Sequence, residues 1–540
     1  MSVEVALAVV ATVDLAIKYG ERLVDLYKSY RNASDEIKVR VLLMSNSWFR
    51  IQTQLRYLES IKTIQSEQFK IMQDQTLRVL LIKLEAAEGE AQKLEKKRDT
   101  ATTTKKADAT TKETKYHDWK YPFVKKSLDA AITELQKWQQ AFDPSWYLAL
   151  MMSNRLIDNN LQDFFKSDSE LPPVDRNVIY SAIGVRESLK PESGTGEKKK
   201  VFLPDNATSG FVRTPISYST SSLGQTPDKS QTFVLDSVPS QQGIKPDIQV
   251  ADVRDLARKL NGADALSFGL LRCFGVAKVC SDRRTTTAYD FVFYIPSSVR
   301  SPQSLRNILI EAKPNVSLST RFRLALQLAR SVTFVHTYKF VHKGIRPETI
   351  LVFDAEKSEY AHSFLVGFEK FRAADGRTVM AGDAAWEKDL YRHPERQGLR
   401  PESEYTMQHD IYSLGVCLLE IGMWRTLVTY NSTNEANPSQ LLPPPGYTEK
   451  KEVTKAASLK ETLVEIAQRE LPSCMGDKYT DIVVTCLTCL DEDNPEFGDK
   501  TQFQDEDGIT IGVRYIQKVS NEPHNFDTML MSLPDLAWIE

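Results

Sequence analysis

Residues 340–349 read F-V-H-K-G-I-R-P-E-T, from Phe340 to Thr349, and the rest of the chain takes its place around them. An apolar pair leads in, His342, Lys343 and Gly344 follow, and Ile345, Arg346, Pro347, Glu348 and Thr349 close the stretch. Ahead of it, L-A-L-Q-L-A-R-S-V-T-F-V-H-T carries apolar residues at helical spacing, within a helix predicted over 318–335. Behind it come three blocks in order. They are F-L-V-G-F-E-K from Phe364, Y-R-H-P-E from Tyr391, and D-I-Y-S-L-G from Asp410, which runs into the apolar V-C-L-L-E-I-G.

The opening stretch resembles the catalytic loop of protein kinases, H-R-D-L-K-P-E-N in outline. His342 matches the His, Lys343 the Arg, Gly344 the Asp, and Thr349 stands where the Asn belongs. In that family the Asp accepts the proton of the substrate hydroxyl and the Asn holds magnesium. Glycine offers no side chain, and threonine is a poor replacement for an amide oxygen. The block at Phe364 resembles the metal-binding D-F-G. Gly367 takes the place of Asp, Phe368 keeps the Phe, and Glu369 replaces the Gly, its carboxylate offering a displaced metal contact. Tyr391 to Glu395 resembles the A-P-E segment, whose Glu pairs in the family with a late Arg that this sequence does not identify. Asp410 resembles the Asp that ties the central helix to the catalytic-loop backbone.

Upstream, Thr232–Val238 is a predicted strand, 250–260 a helix, and 270–279 and 289–295 two more strands. No G-x-G-x-x-G precedes the first strand, so no glycine-rich backbone is expected over nucleotide phosphates. The place of V-A-I-K falls on Phe233-Val-Leu-Asp236, flanked by Lys229 and Lys245. Asp236 at the lysine position would repel a phosphate. The resemblance covers 232–530 and implies a bilobal α+β protein kinase-like fold. All three positions that handle metal or proton, Gly344, Thr349 and Gly367, are non-ionisable. A general base alone is worth about 10²–10⁴-fold, and phosphoryl transfer leans still more on the metal. The resemblance therefore implies a pseudokinase with no catalytic residue, no metal site and no cofactor, acting as a regulatory or signalling module. Two rival readings are an atypical ATP-binding Ser/Thr kinase using magnesium through Glu369 or Asp354, and a plain interaction scaffold.

Residues 1–185 read as helices. Val13, Ile17, Gly20, Val24 and Tyr27 share one face of the first, and Ile37, Val41, Met44, Trp48, Ile51, Leu55 and Leu58 one face of the second. Leu77, Leu80, Leu84, Ala87, Ala91 and Leu94 do so in the third, and Val124, Leu128, Ala131, Leu135, Trp138 and Phe142 in the fourth. Four stripes without strand signals imply an all-α antiparallel bundle, with an oligomeric coiled coil as the rival. The breaks at Arg31–Ser34 and Ser60–Glu67 favour a chain that folds back on itself. A fifth amphipathic segment is predicted from Trp146 to Phe165. The Lys- and Thr-rich run Lys96–Lys115 reads as an exposed loop or frayed extension. This half resembles the HeLo and HeLo-like domains of filamentous fungi, cell-death bundles that perturb membranes. Their animal counterpart is the bundle of the mixed-lineage kinase domain-like pseudokinase. That resemblance rests on helix pattern and an apolar start, and no single residue carries it.

Between the two halves, 186–231 is rich in Ser, Thr, Gly and Pro and reads as a flexible linker, with a short strand possible at 201–203 or 211–213. Over 540 residues the formal charge is −3, which points away from nucleic acid and acidic substrates. The six cysteines suit reduced thiols, and Cys486-x-x-Cys489, inside an apolar run, reads as helix packing. The sequons at Asn206 and Asn431 are read as chance matches. No basic leader opens the chain, Glu4 interrupts its first apolar run, and no stretch is long enough to span a bilayer. A cytoplasmic protein is expected, recruited to the plasma membrane if the bundle acts there. Its expected partners are an upstream protein sensor, further copies through the bundle, and membrane lipid.

Overall fold

The computed structural model describes residues 2–28, 35–60, 77–93, 121–151, 182–184, 186, 201–240, 246–281, 285–311, 313, 316–338, 340–355, 358–368, 372–373, 385–399, 401, 403–442, 452–494 and 497. Two compact units divide the chain, Met1–Glu187 and Ser188–Glu540.

The first unit is helical: α1 (Ser2–Lys28), α2 (Asp35–Ser60), α3 (residues 77–93) and α4 (Tyr121–Met151). The apolar stripes turn inward, with Val13, Trp48, Ile51, Leu80, Leu128 and Phe142 all buried. Gly20 on α1 lies so close to Trp48 that an added Cβ would stand 2.1 Å from its ring. Two contacts set the direction of α2 relative to α4. Arg40 on α2 reaches Asp129 on α4 at 2.7 Å and Tyr57 packs edge-on against Trp146, so these two helices run the same way. Gln52 on α2 donates to Glu21 on α1 at 2.6 Å, and Lys83 on α3 to Glu134 on α4 at 2.6 Å. The fifth segment predicted from Trp146 is corrected at its start, because α4 runs on through Pro144 to Met151. Burial of Trp146 against Tyr57 favours that continuation over the break that proline alone would cause. Lys96–Lys115, Leu94 and the rest of the fifth segment lie outside the described residues. Among the described residues no helix is long and apolar enough to cross a membrane.

The second unit opens with a five-stranded antiparallel sheet. Its strands are β1 (Val212–Pro215), β2 (Ser221–Gln225), β3 (Thr232–Pro239), β4 (Cys273–Cys280) and β5 (Thr286–Tyr294), in the spatial order β1-β2-β3-β5-β4. The helix α5 (Pro246–Asn261) joins β3 to β4 and buries Val253, Leu256 and Leu260. The linker expected over 186–231 is corrected from Val201 onward. Val201 accepts the N–H of Val276 at 2.8 Å, Leu203 donates back to Val276 at 2.9 Å, and Asn206 donates to Lys278 at 2.8 Å, so this segment lies along β4. Buried Asp290 on β5 then accepts bonds from Thr208, Arg213 and Ser237. The short strand read at 201–203 or 211–213 corresponds to the Phe202 bridge and to β1. The Ser-rich composition concealed β2, which its partners stabilise more than its side chains do.

After β5 the chain becomes mainly helical. A three-stranded sheet, β6 (Val299–Ser304), β8 (Ile350–Ala355) and β9 (Ser358–Leu365), in the order β6-β8-β9, is interleaved with α6 (Leu305–Glu311) and α7 (Leu318–Thr337). Two-residue strands β7 (Phe340–Val341) and β10 (Arg372–Ala373) pair with each other. The central helix α8 (Met407–Met423) is buried along almost its whole length, as its apolar sequence requires. It is flanked by α9 (Glu452–Met475) and α10 (Asp477–Leu487). Cys486 and Cys489 are free and buried, and Gly415 of α8 packs directly on Cys486.

Candidate functional site

The stretch from Phe340 to Thr349 leaves α7 through β7, turns, and ends in a 3-10 turn over Pro347–Thr349. Asp410, in the first turn of α8, holds the turn. Its buried carboxylate accepts the backbone N–H of His342 at 2.7 Å and of Lys343 at 2.9 Å, the Tyr405 hydroxyl at 2.7 Å and His336 Nε2 at 3.1 Å. Burial alone would raise the Asp410 pKa, but His336, His342 and Tyr405 more than offset it and keep the carboxylate below its usual range. Lys343 adopts φ +63°, a left-handed conformation fixed by its bond to Asp410.

His342 is fully buried, which pulls its pKa down to about 4 and leaves the ring neutral. Its Nδ1 accepts the Gly344 N–H at 3.3 Å, so the proton sits on Nε2, which donates to the Val366 carbonyl at 3.0 Å. The ring lies against Phe368, centroids 4.7 Å apart. His342 thus bridges the two blocks as a structural member.

Gly344 stands at the position of the base. The heavy atom nearest to where its Cβ would be is Nη1 of Arg346, at 3.3 Å. A guanidinium neither accepts a proton nor binds a cation. Thr349 turns its hydroxyl back into the loop. Oγ1 accepts the Arg346 N–H at 3.2 Å and lies 2.8 Å from the Gly344 carbonyl and 2.9 Å from that of Arg346. Gly367 has φ +80°, and a Cβ there would stand 2.3 Å from Thr349 Cγ2. The two substitutions are therefore interlocked: a side chain at 367 and threonine at 349 exclude each other.

Asp236, on β3, completes the group. It is fully buried, and Oδ2 accepts the N–H of Gly367 at 2.9 Å and of Phe368 at 3.0 Å. Asp236 thus ties β3 to the backbone of the Phe364–Phe368 block. His342, Gly344, Thr349, Gly367 and Asp236 lie beside one another in the structure. Glu369 lies outside the described residues. Asp354 is not in this group, since its Oδ1 accepts the Tyr360 N–H at 2.8 Å in the β8–β9 hairpin.

Two features escaped the sequence reading. One is the turn Ile216–Thr220 between β1 and β2. Ser219 Oγ donates to the Glu348 carbonyl at 2.9 Å, Ser304 Oγ donates to the Ser217 carbonyl at 2.6 Å, and the Tyr218 ring lies 4.8 Å from that of Tyr430. The Ser219 side chain thus fastens the turn to the catalytic-loop segment, while Ser304 and Tyr430 hold its other side. The other is Arg306 on α6, fully buried. It donates to Glu348 at 2.8 Å, to Glu420 at 2.9 Å, and to Thr426 and Tyr391. Burial pushes the Glu420 carboxyl upward; Glu348 meets the same burial, but Arg306 and Arg346 hold it below its ordinary range. A charged residue inside the apolar runs L-R-N-I-L-I and V-C-L-L-E-I-G was the signal for this cluster.

Residues 293–499 match a family profile described as protein tyrosine and serine/threonine kinase. This chain carries a protein kinase-like domain. A serine/threonine-protein kinase-like protein of Arabidopsis thaliana is 30% identical over 131 residues, which is 24% of this chain. The chain spans about a third (34%) of the length of that relative. The profile match begins at the end of β5, so the sheet that carries Asp236 and the Ile216–Thr220 turn lies almost wholly outside it.

Proposed function

We propose that the kinase-like half, with the two-lobed arrangement of that family, is a pseudokinase that transfers no phosphate and serves as a regulatory or signalling module. The observation that carries this reading is the Asp236 bridge. Its carboxylate satisfies the amides of Gly367 and Phe368 directly, at the place where an active kinase brings lysine, aspartate and magnesium around the phosphates. Catalysis of this type is nearly all positioning and charge stabilisation. The Asp236 carboxylate is taken up by two amides, and two glycines and a guanidinium supply neither a base nor a metal ligand. Neither ATP nor magnesium is a cofactor on this reading.

The helical half acts as the effector, an antiparallel HeLo-like bundle that engages other copies of itself and anionic membrane lipid once an upstream protein partner acts on the pseudokinase, in the manner of fungal cell-death proteins. The helix directions and inward stripes of the first unit support that fold. The protein then resides in the cytoplasm and is recruited to the plasma membrane.

The full-length chain, incubated with radiolabelled ATP, magnesium or manganese and generic acceptor proteins, is expected to transfer no label to itself or to the acceptors. Transfer above the buffer control favours an atypical kinase. Dye release from anionic liposomes by the full chain, absent after deletion of residues 1–187, is the outcome expected of the effector role. Intact liposomes at every concentration leave the interaction scaffold as the better reading.

A further inference from the structure

Away from that site, three donor groups meet where the segment after Tyr391 touches the start of α8. His393 caps a 3-10 turn over Pro394–Arg396, Glu395 lies within that turn, and His409 is in the first turn of α8. One donor atom from each lies within 4.8 Å of the other two. His393 is 5% and His409 2% exposed, and Glu395 is half-buried on the more open side. The two rings stand edge to face, 5.7 Å apart. Nε2 of His393 is buried and has no hydrogen-bond partner, while its Nδ1 accepts the Glu395 N–H over a long 3.4 Å. Buried ring nitrogens are nearly always bonded, so this one calls for a ligand.

Two imidazoles and one carboxylate are the donor set of a borderline divalent ion of the zinc class. Magnesium and calcium take oxygen donors instead. We propose that His393 Nε2, the Glu395 carboxylate and His409 Nε2 form a binding site for a zinc-class divalent ion, with water in the fourth position. The ion cross-links the Pro394–Arg396 turn to α8. Bonds of about 2.1 Å in a tetrahedron space the donors about 3.4 Å apart, so the three groups draw together on loading from their separation of up to 4.8 Å. Burial holds both rings neutral, His393 at about 4 and His409 at about 3, so neither must lose a proton to bind near pH 7.

Loading shifts a proton on each ring. His393 Nδ1 accepts the Glu395 N–H, so its ring proton sits on Nε2 and moves to Nδ1 on loading, with the loss of that 3.4 Å bond. Nδ1 of His409 accepts the Thr406 N–H at 2.9 Å, which leaves the ring proton on Nε2. For Nε2 to bind the ion, that proton moves to Nδ1, where Thr406 Oγ1 at 2.9 Å accepts it. The Thr406 N–H bond, the long Glu395 N–H bond and the 3.4 Å contact of His409 Nε2 with Ser403 Oγ are given up for two coordinate bonds from nitrogen, and the proton count is unchanged.

The test uses the untagged full-length chain, freed of metal with a chelator and titrated with zinc, with cobalt(II) as the spectroscopic probe. Saturable uptake of about one ion per chain is expected, with the intense visible absorption of four-coordinate cobalt. Both should be lost in His393→Gln and in Glu395→Gln. Each variant is first checked metal-free by circular dichroism and thermal melting. Glu395→Gln, at the half-buried position, serves if His393→Gln melts early. No saturable uptake at several-fold excess metal overturns the proposal. So does uptake that persists unchanged in folded Glu395→Gln, since the remaining histidines would then account for it.

Discussion

The Asp236 carboxylate accepts the backbone N–H of Gly367 at 2.9 Å, across a sequence separation of 131 residues. That bond, shared with Phe368, decides what a lysine at position 236 would do. Asp236→Lys places an ammonium against two N–H donors in a fully buried position and strands both. The expected loss of stability is about 3–5 kcal/mol, with no gain in nucleotide affinity. Asp236→Asn keeps one acceptor oxygen and should cost about 1 kcal/mol. Urea denaturation of the two variants measures the contrast, and a stable Asp236→Lys protein would contradict it.

Restoring the magnesium ligand alone should fail for a steric reason. Gly367→Asp brings a Cβ to 2.3 Å from Thr349 Cγ2 at a φ of +80°, so strain of about 1–3 kcal/mol adds to the clash. Gly344→Asp meets only the tip of Arg346 at 3.3 Å and should fold with little loss, about 0.5 kcal/mol. Thermal melts of the two single variants should therefore differ clearly, and equal melting temperatures would sink the argument.

Arg306 is the counter-ion for two buried carboxylates. Arg306→Met leaves buried Glu420 without a cation and Glu348 with Arg346 alone, and should destabilise the domain by about 3–5 kcal/mol. Adding Glu420→Gln to that variant should recover part of the loss. A double-mutant cycle in denaturant reads the coupling, and strict additivity would mean that the pair does not interact.

The neutral, buried His342 gives acid sensitivity with a definite sign. Its folded pKa of about 4 lies below the ordinary 6.5, so the unfolded chain binds the proton more readily. Its contribution is complete above about pH 6.5 and is lost as pH falls from there toward 4, at up to about 1.4 kcal/mol per pH unit. His342→Gln should flatten the stability profile in that window. A profile of unchanged slope would show that the ring does not stay neutral.

Much of the kinase-like half was legible because the residues that hold the loop are local and chemically distinctive. His342, Pro347, Phe368 and Asp410 sit in short blocks whose order alone located the turn. The position of Asp236 followed from counting along one strand, and its role as an acceptor did not, because the amides it grips belong to a distant segment. The Ile216–Thr220 turn was hidden for a different reason. Its flanking strands are short and largely polar, and the pairing of β1 with β2 and of β2 with β3 makes them strands. The helical stripes of the first unit fixed which faces are buried. The continuation of α4 through Pro144 depended on a tertiary contact, that of Trp146 with Tyr57, which outweighed the local preference.

The central claim is that the segments which would enclose a nucleotide are held together by their own side chains, through Asp236 to Gly367 and Ser219 to Glu348. Isothermal titration of the full-length chain with ATP and magnesium tests it most directly. No binding heat is expected up to millimolar nucleotide, with or without the metal. A saturable isotherm that requires magnesium, and that Asp236→Asn or Ser219→Ala alters, would contradict the account.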